Sequence, residues 1–302
     1  MKRALVVVVL LSASRLALAE VQVRIADYPE QVYSYSPVII TGVIENHGSE
    51  AVLLPASLAT ENRYFIETGT TMENLKELMP FRFDGGGNVV WVRPGEKWYF
   101  QMGIGQWSVK LSGTLYIRMG IRSTGRCHYF PQGDEEFPLK LLSKNGSPVY
   151  ECWEGHVRSD VASIDFVRPD SVADQAAADY IYSPEFPTTC NLESNDGCLH
   201  QGASQLLERF PASHYTYVAL LTAGTDSPEY LQKALDLQPS HPLTPYTTFQ
   251  KALALVRLGR TTEVSFEALD IPSALRDYLM QEKTAEEKRQ RRAVSHQAAR
   301  PD

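Results

Sequence analysis

The sequence predicts a two-part chain, β-rich up to residue 168 and α-helical from residue 169 onward. Three observations predict it. From Val21 to Val167, short alternating or apolar runs are separated by Gly, Pro, Asn and Asp, the pattern of stacked antiparallel strands. At Arg168-Pro169 that texture gives way to Ala-rich and Leu-rich segments of helical period. The chain is also longer than one hydrophobic core usually serves, and two domains of roughly 110 to 150 residues are the natural division.

The N-terminus reads as a secretory signal. Lys2 and Arg3 form a positive start, Ala4 to Ala13 a short apolar stretch, and Ala17-Leu18-Ala19 a small-residue cleavage site before Glu20. The apolar run is shorter than the ~20 residues a membrane-spanning helix needs, and Arg15 interrupts its extension. No Cys follows the cleavage site to be acylated, and no later stretch is apolar enough to cross a bilayer. The expectation is therefore export to the periplasm, the cell surface or the outside, with residues 1 to 19 removed and no transmembrane segment in the mature chain.

Within the β-rich half, Val21 to Ile25 alternates cleanly, Val38 to Glu45 is rich in β-branched residues and closes at Asn46-His47-Gly48, and Val89 to Val92 runs into Pro94-Gly95. Lys97 to Met102, Gly113 to Ile121, Phe137 to Leu142 and Val161 to Val167 are further strands, and Met72 to Met79 reads as a short helix. Asp84 to Asn88 and Asn145-Gly146 are turns. About seven or eight strands at this spacing predict an immunoglobulin-like antiparallel β-sandwich over residues 20–168.

In the second half, Ser171 caps a helix with Asp174 three residues on, and Ala173, Ala176, Ala177, Tyr180 and Ile181 share one face. Leu199, Ala203, Leu206, Leu207 and Phe210 form a second apolar face, stopped at Pro211. Tyr215, Val218, Ala219 and Thr222 form a third, closed by Gly224. Ser227-Pro228 and Thr244-Pro245 are start signals. The first opens a stripe of Leu231, Ala234 and Leu235; the second opens one of Phe249, Ala252, Leu253 and Val256 that ends at Gly259. A last helix starts near Pro272 and passes into a charged segment, residues 286–302, that reads as a flexible tail.

Two stretches resemble known families. Tyr230 to Pro239 is similar to the second helix and exit turn of a tetratricopeptide repeat, Leu255 to Arg260 to the end of a first helix, and Leu206 to Ser213 to the segment linking repeats in exported bacterial tetratricopeptide proteins. The motifs are degenerate, because the two Pro-ended segments at 211 and 239 lie closer than the ~34-residue repeat. The resemblance implies a tetratricopeptide-like helical domain over residues 169–285 whose habit is to bind another protein or an extended peptide. Its concave face would offer Tyr215, Tyr217, Tyr246 and Phe249 to that partner. Trp153 to Ser159, leading into Ile164 to Val167, resembles the last strands of Ig-like domains in uncharacterised bacterial surface proteins, a likeness that brings no activity with it.

Charge narrows the partners. Without residues 1–19 the chain carries 26 basic and 36 acidic side chains, a net of −10. Nucleic acid is excluded as an expected partner, since phosphate binding needs a clustered basic surface, and the only basic cluster, Lys288, Arg289, Arg291 and Arg292, is interleaved with acids. The oligomeric state is left open by the sequence.

The cysteines, Cys127, Cys152, Cys190 and Cys198, are even in number in a chain routed to an oxidising compartment, so disulfides are expected. Two in each half favour Cys127 with Cys152 and Cys190 with Cys198. A zinc site from Cys190, Cys198 and His200 lacks the tight ligand spacing, and a nucleophilic Cys152 served by His156 or His128 lacks a thiolate-stabilising pattern. Gly85 to Gly87 and Gly103-Ile104-Gly105 lack the Lys-Ser/Thr of a phosphate loop. No catalytic residue, metal or cofactor is expected. Trp91, Trp98 and Trp107 read as core aromatics, or as an exposed strip for a glycan. His47, His128, His214 and His241 sit beside turn signals and read as surface residues. The resulting functional expectation is a non-enzymatic exported binding or scaffold protein. A carbohydrate-binding module and an exported peptidase inhibitor presenting the Asp84 to Asn88 loop are the alternatives.

Overall fold

The structure is a computed structural model that describes residues 21–34, 36, 38–54, 63–78, 82–84, 90–104, 113–128, 149–186, 195–224 and 227–298. The signal segment, Phe137 to Leu142, Asn145-Gly146, most of the Asp84 to Asn88 loop and Trp107 lie outside these residues.

The chain is β-rich up to Val167 and helical from Val172. The described strands are β1 (Val21–Asp27), β2 (Gln31–Tyr33), β3 (Val38–Asn46), β4 (Val52–Leu54), β5 (Arg63–Gly69), β6 (Lys76–Leu78), β7 (Arg82–Asp84), β8 (Val90–Val92), β9 (Lys97–Ile104), β10 (Gly113–His128), β11 (Val149–Arg158) and β12 (Ala162–Val167). A four-stranded sheet has the order β1-β3-β9-β7; a larger sheet runs β2-β12-β10-β5-β6 with β11 also on β10; β4 and β8 form a separate pair. All pairings are antiparallel except β12 with β2.

Period-two alternation builds the core. Ile40 and Ile44 of β3 and Trp98, Phe100 and Met102 of β9 point one way, and they meet Tyr64 and Ile66 of β5, Ile117, Met119 and Ile121 of β10, and Ile164 and Phe166 of β12. The turn into β9 follows its chemistry: the Glu96 N–H donates to the Arg93 carbonyl at 3.0 Å, and Gly95 adopts φ +76°, the third turn position only glycine takes without strain. Asn46 closes β3, its buried amide donating to the carbonyls of Glu50 and Val92 while its oxygen accepts the Gly48 N–H.

The helices are α1 (Val172–Ile181), α2 (Asn195–Arg209), α3 (His214–Ala223), α4 (Pro228–Leu237), α5 (Thr244–Arg257) and α6 (Ser273–Ala298). Ser171 caps α1 by accepting the Asp174 N–H, and Ser213 caps α3 in the same manner from Tyr215. From α2 onward each helix packs on the next in sequence, and α1 packs on α3. Every residue of α3 from Tyr215 to Ala223 is buried, so this helix is apolar all round and central, not one-faced.

The helical half lies against the outward face of the four-stranded sheet. Val43 of β3 and Tyr99 of β9 face away from the β core and pack with Phe249, Leu253 and Val256 of α5 and Leu275, Tyr278 and Leu279 of α6. This explains why nearly every residue of β3 and β9 is buried: the sheet is covered on both sides.

Two expectations are corrected here. Residues 76–78 form β6, paired with β5, where a helix over Met72 to Met79 was expected; Met72, Leu75 and Leu78 recur every third residue, but Met72 and Leu78 are exposed and Leu75 is only partly buried, so no helix face is covered there. Residues 286–298, expected to belong to a flexible tail, continue α6 as helix, with Lys283–Glu287, Arg289–Glu286 and Arg291–Glu287 pairs along its surface.

Candidate functional site

Three polar constellations stand out, two of them in the seam between the halves. The first centres on β9. Among the described residues β7 pairs with Gln101 to Gly103, and at Tyr99 the backbone groups are taken by Gln281 of α6: the Tyr99 N–H donates to Gln281 Oε1 at 2.8 Å, and Gln281 Nε2 donates to the Tyr99 carbonyl at 3.2 Å. The Tyr99 hydroxyl donates to Asp277 at 3.1 Å; burial and the adjacent carboxylate push its pKa up to about 12. Beside it, Gln250 of α5 donates to Gln101 Oε1 at 2.8 Å, and Gln101 donates to the Tyr246 hydroxyl at 3.2 Å.

The second constellation lies where β2, α1, α3 and the α4–α5 turn converge. Asp174 accepts from the Ser213 hydroxyl and the His214 N–H, both at 2.7 Å, and from the Ser171 hydroxyl. The Tyr215 hydroxyl donates to the Ser34 carbonyl. His241 Nδ1 accepts the Leu243 N–H at 3.1 Å, which places the proton of the neutral ring on Nε2. That Nε2–H points at His214 Nδ1, 2.7 Å away, so His214 in turn carries its proton on Nε2, 3.4 Å from Ser36 Oγ. Burial holds both rings neutral. It lowers His214 to about 4 against the pull of Asp174, and His241 to about 3 with His214 adding to the effect. Tyr217 stacks on His241 with centroids 3.8 Å apart, and Tyr33 meets His214 edge-on at 4.5 Å.

A serine, a histidine and a second histidine in line have the outline of a nucleophilic triad, but the proton runs the wrong way. Activating a serine requires an unprotonated Nε2 to accept its hydroxyl proton. Here the backbone N–H of Leu243 fixes the opposite polarity through both rings.

The third constellation covers the outer face of the larger sheet. Phe65 of β5 sits across from Gly120 of β10, over which its ring lies so closely that a Cβ there would fall inside it. Arg122 and Arg158 flank the ring with guanidinium carbons 5.6 and 5.9 Å from its centroid. Glu67 takes Arg118 on one oxygen (2.7 Å) and Arg158 on the other (3.1 Å), and Glu77 takes Arg122 at 3.1 Å. The three arginine side chains stay partly exposed, at 29%, 34% and 42% for Arg118, Arg122 and Arg158.

The residues singled out from sequence fall elsewhere. Tyr215, Tyr217 and Phe249 are fully buried and Tyr246 is half-buried; Tyr215, Tyr246 and Phe249 reach across to the β half, Tyr217 stays among the helices, and together they form no concave outer surface. Trp98 is in the β core, stacked on Phe100, and Trp91 is half-buried on β8. Cys152 is buried on β11; the side chains of Cys127, Cys190 and Cys198 lie outside the described residues. His241 is buried and His214 nearly so, in contrast to the surface placement expected of them. The proximity of His214 to Ser36 spans 178 residues of sequence and leaves no local signal. Among the described residues there is no cluster of His, Cys, Asp and Glu that would hold a metal ion, and no helix long and apolar enough to cross a membrane.

No protein-family model matches the chain, and no curated protein matches it. Among solved structures, the β part is similar to the CARDB domain of a Pyrococcus furiosus protein crystallised with di-metal ions, an Ig-like domain: 14% identity, 51% of this chain and 97% of that one, TM-score 0.27. A PapD-like domain of human CEP192 shares 9% identity over 56% of this chain and 99% of its own, at a TM-score of 0.25. The sporulation control protein Spo0M of Bacillus subtilis shares 11% over 53% and 54%, also at 0.25. Likenesses at this level carry no functional inference.

Proposed function

We propose that the chain is an exported, non-enzymatic binding or scaffold protein of a bacterial envelope or surface. In this reading residues 1–19 are its signal peptide, residues 20–168 an Ig-like β-sandwich and residues 169–285 a tetratricopeptide-like domain. The sequential packing of α2 through α6 supports the last of these. The strand register supports the expected disulfide: Cys152 is disulfide-bonded, and Cys127, opposite Tyr150 on the neighbouring strand, is the partner we assign to it.

The observation that carries the binding reading is the arginine face around Phe65. Glu67 and Glu77 hold Arg118, Arg122 and Arg158 in place, which reduces the ordering cost when a partner docks. A guanidinium has five N–H donors, and the carboxylates engage only part of each set. The partner that fits is an extended, acidic segment of another protein, in place of the aromatic-face partner read from the sequence. The proton polarity of the seam histidines supports the non-enzymatic part of the reading.

The test is capture of envelope proteins on the immobilised full chain, compared with the double variant Arg122→Ala/Arg158→Ala. A specific partner should bind the parent, elute as salt rises, and lose about tenfold in affinity or more with the variant. A stoichiometric partner that holds equally to the variant in high salt would place the binding surface elsewhere.

A further inference from the structure

We propose that the Ser36–His214–His241 chain is a pH-operated latch between the β-rich and helical halves, closed while both imidazoles are neutral and opened by proton uptake. The geometry leaves a proton no vacant acceptor. Each ring has two nitrogens, and all four are committed in one direction: Leu243 N–H to His241 Nδ1, His241 Nε2–H to His214 Nδ1, and His214 Nε2–H toward Ser36 Oγ. A proton arriving from solvent must add to His241 Nδ1, which turns away the Leu243 N–H, or to His214 Nδ1, which then faces the Nε2–H of His241. Either product leaves a donor opposed to a donor, and the latch can accommodate the charge only by separating its parts.

The parts belong to different halves. Tyr33 ends β2 and Ser36 follows it, while His214 opens α3 and His241 precedes α5. Among the described residues, the groups around the rings come from four elements and their flanks. Tyr33 and Ser36 face them from the β half, Asp174 from α1, Tyr215 and Tyr217 from α3 and Thr244 from α5; Asp170, ahead of α1, accepts the Tyr33 hydroxyl at 3.2 Å. Asp174 and the stacked Tyr217 favour a protonated ring, and burial opposes it more strongly, as the lowering of both histidines shows. The sign follows. The unfolded chain takes up these protons near pH 6.5, whereas the closed latch resists them down to about 4 at His214 and about 3 at His241, so stability of the junction is full above 6.5 and is lost as pH falls through that range.

The experiment uses the full chain in two measurements across pH 7 to 3.5: histidine ring NMR and amide hydrogen exchange. The expected result is a coupled titration of His214 and His241 well below 6.5, accompanied by loss of protection at Ser34, Tyr215 and Leu243 while Ile117 to Ile121 of β10 stay protected. In His241→Asn the side-chain oxygen can still accept the Leu243 N–H but takes up no proton, and the opening should shift down by about one pH unit or more. Independent titration near 6.5 with unchanged protection would overturn the proposal. So would simultaneous loss of the β10 amides, which marks global acid unfolding, or an unchanged midpoint in His241→Asn, which assigns the opening to carboxylates such as Asp174. Should that variant fail to fold, the parent chain's titration and exchange still decide the matter.

Discussion

Gly120 shows how one missing side chain organises a surface. Phe65 points to the outer side of its sheet, where an aromatic would ordinarily stand in water, yet it is 2% exposed because its ring fills the notch at Gly120 beneath Arg122 and Arg158. Gly120→Val should cost about 1–3 kcal/mol in urea unfolding, since the ring has to leave the notch. It should also unseat the arginines; a variant as stable as the parent would mean that the ring has room to move. None of this is legible in the sequence, where Arg63 to Gly69 carries no clean alternation and yields no strand. Local chemistry was legible: the Pro94-Gly95 turn, the Ser171 cap with Asp174, and the Asn46 closure are each set by residues within a few positions of one another.

At the level of elements, helices could be read from their ends. Ser227-Pro228, Thr244-Pro245, Gly224 and Gly259 mark the boundaries of α3, α4 and α5 because capping and proline chemistry act within one turn. Their destinations could not be read, since an apolar helix face does not say what covers it. The four aromatic positions expected to meet a partner are used internally, Phe249 and Tyr246 against the side of the four-stranded sheet that presents Val43 and Tyr99, and Tyr215 and Tyr217 in the helical core. Gln281 is the element-level pin. Its replacement by Ala uncaps an N–H and a carbonyl of Tyr99, and we expect a loss of about 2 kcal/mol or more together with faster exchange of the Tyr99 amide. A stability change within error would show that water replaces the amide at no cost.

For the whole molecule, the seam makes the two halves interdependent. Val43 and Tyr99 on one side and Phe249, Tyr278 and Leu279 on the other share a cluster, and each large apolar side chain covered there contributes about 1.5–3 kcal/mol. The full chain should therefore unfold in one calorimetric transition, and the isolated residues 20–168 should be less stable and prone to associate through the uncovered sheet face. Two well-separated transitions would show that the halves are autonomous. The change of texture at Arg168-Pro169 thus marks a change of secondary structure correctly without marking a boundary in the packing.

The parallel pairing of β2 with β12 sets an order of events. Gln31 lies beside Asp165, and the Ser34 N–H reaches the Val167 carbonyl, so the segment that begins at residue 31 finds its neighbour only after more than half of the chain has been made. Contacts of such long sequence separation form slowly, because the loop they close must be ordered first. Tyr33 and Ser34 therefore cannot complete this pairing until the strand that precedes α1 has been made.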